Sequence, residues 1–96
     1  MKFVVFGKVS PQGAKKYKER GPRAAAKAKS LGIKLDYMYY TQGEYDIVEL
    51  LDAPSANAML AHTLWYKKQG YGTLMAYPVF ERDAMLWAES HANKKV

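Results

Sequence analysis

The sequence contains no cysteine. This excludes a disulfide scaffold, a thiolate metal site and a thiol nucleophile, and it suits a reducing compartment. Long hydrophobic runs are also missing: none approaches the roughly 18 residues of a membrane span. The opening Met1-Lys2-Phe3-Val4-Val5-Phe6-Gly7-Lys8-Val9 is too short in its apolar part for a secretory signal and has no small-residue cleavage site behind it. The expectation is a cytoplasmic protein with no membrane contact. There is no glycine-rich phosphate loop, no Gly-x-Ser-x-Gly elbow and no His-Glu-x-x-His. His62 and His91 each lack a second histidine or a carboxylate at ligand spacing, so neither a metal nor a cofactor is expected. Acidic residues are scarce in one region only. Residues 1–35 hold ten Lys/Arg against Glu19, whereas the remainder holds five against eight acidic groups. Such a basic run most often forms the solvated face of a helix.

What is present fits a folded globule: 49% hydrophobic and 14% aromatic residues in a chain of 96. That length makes residues 1–96 a single domain with a modest core, and oligomerisation is the remaining common source of burial.

Phe3 to Val9 reads as a strand apolar on both faces. Ser10-Pro11 opens a helix, with serine as cap and proline at the first helical position. Its stripe runs Ala14, Tyr17, Gly21, Ala24/Ala25, Ala28 and Leu31, and Gly21-Pro22 predicts a kink or a division there. Gly32 ends it. Ile33 to Thr41 is a second strand, with Ile33, Leu35, Tyr37 and Tyr39 on one face and Lys34, Asp36, Met38 and Tyr40 on the other. Gln42-Gly43-Glu44 is a turn in which Gly43 supplies a positive φ. Tyr45 to Asp52 is a third strand. Ala53-Pro54-Ser55 opens a helix with the stripe Ala56, Met59/Leu60, Thr63/Leu64, closed by Gly70. Gly72 to Glu81 is a fourth strand, and Pro78 places it at a sheet edge. A last helix spans about Arg82 to Ala92 and carries Met85-Leu86-Trp87 in a row.

The order β-α-β-β-α-β-α is two βαβ units. With right-handed crossovers it predicts an α+β, ferredoxin-like antiparallel sheet with an extra C-terminal helix. Two helices cover one face. Tyr37, Tyr39, Tyr45, Ile47, Leu51, Met75 and Tyr77 are too many large groups to leave to water on the other. A second copy of the chain, sheet against sheet, would bury them, so a homodimer or higher oligomer is the expected partner. The last helix could reach across such a dimer; the alternative is that it folds back over its own sheet.

Gly7-Lys8, Gln12-Gly13 opening a helix, Pro22, Leu31-Gly32, Tyr39-Tyr40-Thr41-Gln42-Gly43-Glu44-Tyr45-Asp46 and Asp52-Ala53-Pro54 follow in order. This pattern, over roughly residues 3–81, resembles the GYD-domain family. Its name-giving motif is spelt here by Gly43, Tyr45 and Asp46. The resemblance implies a dimeric α/β barrel, related in fold to stress-response and antibiotic-biosynthesis monooxygenase modules, and supplies no catalytic residues. Glu49 departs from the small or apolar strand residue usual in the family, and Ser55-Ala56-Asn57 replaces an acidic helix start.

Period two places Tyr45, Ile47, Glu49 and Leu51 on one face, expected to line the dimer cavity. A carboxylate among tyrosines there would have its pKa raised and could act as a general base or bind a cation. It could equally pair with a Lys or Arg across the interface. Glu49 is therefore the catalytic candidate, and Tyr37, Tyr39, Tyr45, Glu49 and Tyr77 are the ligand-binding candidates. Gly43-Glu44-Tyr45-Asp46 reads better as a register-setting turn than as a ligand loop. The functional expectation is a small-molecule-binding barrel, with cofactor-independent monooxygenase-like catalysis as its enzymatic form. The alternatives are an oligomer that acts only by interaction and an RNA-binding module. Acidic Glu44, Asp46, Glu49 and Asp52 on the third strand argue against nucleic acid, since they would repel phosphate.

Overall fold

A computed structural model describes all 96 residues. The chain runs β1 (Lys2–Val9), α1 (Pro11–Lys15), α2 (Tyr17–Ser30), β2 (Lys34–Tyr40), β3 (Ile47–Asp52), α3 (Ala56–Lys68), β4 (Gly72–Pro78) and α4 (Arg82–Ala92). The strands form one antiparallel sheet in the order β2-β3-β1-β4. This is the expected α+β, ferredoxin-like arrangement. β4 pairs only with β1, and Pro78 closes it at the sheet edge, where a missing donor breaks no inner ladder.

Local chemistry sets the helix ends. The Ser10 hydroxyl accepts the Gly13 N–H at 2.8 Å, with Pro11 at the first helical position. The Ser55 hydroxyl accepts the Ala58 N–H at 3.1 Å and opens α3. The chain breaks at Lys16, however, and α2 runs unbroken through Gly21-Pro22. The expected division lies five residues too late, because tertiary contact decides it. Gly13 packs so closely on the Tyr71 backbone that a Cβ there would lie 2.1 Å from the Tyr71 carbonyl oxygen. The Ser10 N–H donates to that same oxygen at 2.9 Å. Together they pin α1 to the start of β4, and the chain turns away immediately afterwards. Pro22 then costs α2 only one backbone hydrogen bond.

The core lies between the sheet and α3. Phe3, Val5, Leu51 and Leu74 meet Met59, Tyr66 and Tyr71, all buried. Tyr71 is its polar anchor. Its hydroxyl donates to Glu19 Oε2 at 3.0 Å and accepts Arg23 Nη1 at 2.7 Å, tying α2 to β4. The stripe of α3 differs from expectation: Met59, His62 and Tyr66 face inward, while Leu60 and Leu64 face outward.

Two phase changes correct the expected sheet faces. A bulge at Asp36 places Leu35 opposite Leu51 but Tyr37 opposite Leu50. One extra residue moves every later side chain to the other face. Tyr37 and Tyr39 lie on the face without helices, as expected, whereas Leu35, expected beside them, stands under the helices with Met38 and Tyr40. At the other end β3 begins only at Ile47, after a bend at Asp46. Tyr45 thus packs on Phe6, with ring centroids 5.2 Å apart, on the open face. Ile47, Glu49 and Leu51 point the opposite way, under the helices.

No residue of α4 is buried, and Trp87 is 64% exposed. The radius of gyration is 15.6 Å, against about 12.5 Å for a compact chain of this length. α4 projects from the body instead of folding back over the open face.

Candidate functional site

The Gly43–Asp46 segment does structural work. The Asp46 carboxylate accepts the Val9 N–H at 2.8 Å, its own N–H donates to the Gly7 carbonyl at 2.8 Å, and its carbonyl accepts the Thr41 N–H at 2.8 Å. One residue therefore fastens the end of β1 to both strands of the β2–β3 hairpin. Thr41 Oγ1 also donates to the Tyr45 carbonyl. Gly43 has φ +159°, close to extended, with open space around its Cα. This is register-setting turn chemistry.

Gly43, Glu44 and Tyr45 line only an open groove with Phe6 and Val48; a more enclosed space lies between α2 and the sheet. The face that α2 turns to the sheet is Ala24, Ala25 and Ala28, too small to fill the gap, and a cavity of about 360 Å³ remains. Met38 and Tyr40, brought round by the bulge, form one wall with Leu35; Ile47, Leu51 and Leu74 form the floor. Its mouth opens past the edge strand β2, where Leu35, Tyr40 and Lys29 are exposed.

The polar groups in this apolar space are few. Glu49, opposite Met38 and Val5 in the sheet, forms no ion pair within the chain. Burial pushes its carboxyl above the ordinary value near 4.5. His62 is 3% exposed and its Nδ1 has no partner. Burial first, and then the charge of Lys27, hold it below its ordinary value and keep the ring neutral. Tyr66 is 2% exposed, and its hydroxyl is likewise unpartnered. Burial raises its pKa against an opposing pull from Arg20. Arg20 reaches the cavity from α2, with Nη1 donating to the Gly13 carbonyl at 2.6 Å. Two buried polar atoms beside this apolar space, His62 Nδ1 and the Tyr66 hydroxyl, have no partner, and the half-buried Glu49 carboxyl has no ion pair.

The five expected ligand residues are not brought together. Tyr37, Tyr39, Tyr45 and Tyr77 share the open face, and Glu49 lies on the other side of the sheet. Tyr77 meets Phe6 edge-on at 6.1 Å. The face expected for Ile47, Glu49 and Leu51 is corrected accordingly. Arg20, Met38, His62 and Tyr66 line this space and are not among the residues expected from the sequence to form a site. The one available signal was the spacing of Met59, His62 and Tyr66 along a single helix face.

A model of the GYD domain matches residues 3–88. The chain belongs to the GYD-domain family. The match extends through the first two turns of α4, so the projecting helix is part of the GYD domain. Among solved structures, the GYD chain is similar to 5-chloro-2-hydroxyhydroquinone dehydrochlorinase from Burkholderia phenoliruptrix, in complex with 2,5-dihydroxybenzoquinone. The TM-score is 0.61 at 14% identity, over 88% of this chain and 98% of that one. It is also similar to a protein of unknown function from Rhodopseudomonas palustris, with a TM-score of 0.54 at 14% identity, over 83% and 82% of the two chains. At these identities the likeness shows the fold. No curated protein matches the sequence.

Proposed function

We propose that this GYD-domain protein is a cytoplasmic homodimer that binds a small, largely apolar molecule in the cavity beneath α2, with Glu49 as its reactive group. The observation that carries the reading is a carboxylate without an ion-pair partner in an apolar cavity of about 360 Å³, its pKa raised by burial. The dihydroxybenzoquinone held by the dehydrochlorinase of similar fold supports a hydroxylated ring as the ligand type. Catalysis without a cofactor, of the monooxygenase-like kind, would begin with Glu49 as general base. The absence of cysteine suits the cytoplasm.

The open face supports the dimer. Tyr37, Tyr39 and Tyr77 are each at least half exposed, and α4 adds Met85, Leu86 and Trp87. So much apolar surface calls for a partner, and a second sheet of the same kind fits it. That surface also favours a second reading, an oligomer that acts only by interaction. No helix of the structure is long and apolar enough to cross a membrane.

The test is thermal unfolding with and without 2,5-dihydroxybenzoquinone, on the natural protein and on Ala28→Leu, which fills the cavity. The proposal predicts a higher Tm with the quinone, abolished by the filling substitution. An unchanged Tm across a panel of hydroxylated aromatics would favour the interaction-only oligomer.

A further inference from the structure

Resting on the reading of the cavity as a ligand site, we propose that it takes an acidic phenol or enol and holds it as the anion. Glu49 receives the hydroxyl proton, while the Tyr66 hydroxyl and the Arg20 guanidinium hold the oxygen. The step balances without a further reactant. The ligand O–H bond breaks, an O–H bond forms on the Glu49 carboxyl, and the electron pair stays on the ligand oxygen.

The geometry supplies each part. Glu49, Tyr66 and Arg20 border the same space from three elements, β3, α3 and α2. The Tyr66 hydroxyl is fully buried beside the space and has no partner in the chain, so its O–H is uncommitted and a shift of the side chain on binding brings it to the ligand oxygen. Arg20 spends one N–H on the Gly13 carbonyl, and a guanidinium has five. Proton transfer neutralises a carboxylate in an apolar setting and moves the charge onto a delocalised ring system beside a cation, a more favourable arrangement of the same charges. A ligand carboxylate would have no proton to give and would stand against Glu49 as a second anion. The other charged and titratable groups facing the site fit the assignment. His62 stays neutral, and Lys29 stands exposed at the mouth, where it attracts anions. This also gives the basic α2 a role beyond solvation.

The probe is 4-nitrophenol, colourless as the phenol and yellow as the anion, buffered one unit below its own pKa so that about nine-tenths is colourless in solution. The proposal expects the bound probe to be yellow. It also expects a binding enthalpy that is the same in buffers of different ionisation enthalpy, because the proton stays on the protein. Glu49→Gln should still bind the yellow form but release about nine-tenths of a proton per ligand, making the enthalpy strongly buffer-dependent. Tyr66→Phe should lower the ratio of bound anion to bound phenol about tenfold, one pKa unit. A probe that binds colourless overturns the proton transfer and leaves the cavity reading standing. So does a yellow probe whose proton is released to buffer by the natural protein. Failure to bind at all, by equilibrium dialysis, overturns both.

Discussion

The Asp46 carboxylate accepts the Val9 backbone N–H at 2.8 Å, joining residues 37 apart in the chain. It closes a donor at the end of β1 that no strand on that side can reach. Asp46→Ala should cost roughly 1.5–3 kcal/mol of unfolding free energy, the range for a hydrogen bond to a charged group. Asp46→Asn, which keeps one acceptor oxygen, should cost less. Urea unfolding of the two variants checks this, and ligand binding in the cavity should survive both.

Gly13 is the most tightly packed glycine outside the sheet. A methyl group there would lie 2.1 Å from the Tyr71 carbonyl oxygen, and backbone cannot yield as a side-chain tip can. Gly13→Ala should cost about 3 kcal/mol, the upper end of overpacking. Gly21→Ala, with no atom within 4 Å of the new methyl, should be neutral or stabilising. Paired denaturation curves test the contrast.

Glu49 and His62 set opposing pH dependences. A raised folded pKa in a carboxyl means the native state holds its proton longer than the unfolded chain. Its contribution is favourable below the ordinary value near 4.5 and is lost as pH rises from there through the folded pKa. His62 has a lowered folded pKa, so its contribution is complete above the ordinary 6.5 and is lost as pH falls through that folded value. Glu49→Gln should therefore be more stable than the natural protein at neutral pH, with the difference growing from pH 4.5 upward. Urea midpoints across a pH series measure it, and a difference independent of pH would contradict the assignment.

The proposed dimer would cover α4 and the open sheet face. Light scattering should give twice the 10.9 kDa chain mass at micromolar concentration. Trp87→Glu, placed on an otherwise free helix face, should shift the population toward monomer without lowering the stability of the monomer. A natural protein of single chain mass would contradict the dimer.

Much of the architecture was legible because it rests on local chemistry. Ser10 and Ser55 as caps, Gly32 and Gly70 at helix ends, and Pro78 at an edge each carry their own physical reason. The faces were not legible, because they depend on single-residue slips. Nothing in Leu35-Asp36-Tyr37 announces a bulge, and nothing in Tyr45-Asp46-Ile47 announces that the strand starts late, yet each reverses the side on which later residues stand. Glu49 stands out by its chemistry, as a carboxylate in an apolar strand, but the side of the sheet it faces depends on where β3 begins. His62 and Tyr66 were hidden by Leu60 and Leu64, which compete for the same inward role on α3 and lose it to side chains that better fill the space against Tyr71.

Where a ligand binds distinguishes the two faces of the sheet. A ¹H–¹⁵N correlation spectrum titrated with 4-nitrophenol reads both faces of the sheet at once. The cavity reading predicts saturable shifts at Ala24, Ala28, Met38, Glu49 and Tyr66, with Tyr37, Tyr39 and Tyr77 unmoved. Shifts confined to those three tyrosines, with the α2 amides silent, would contradict it.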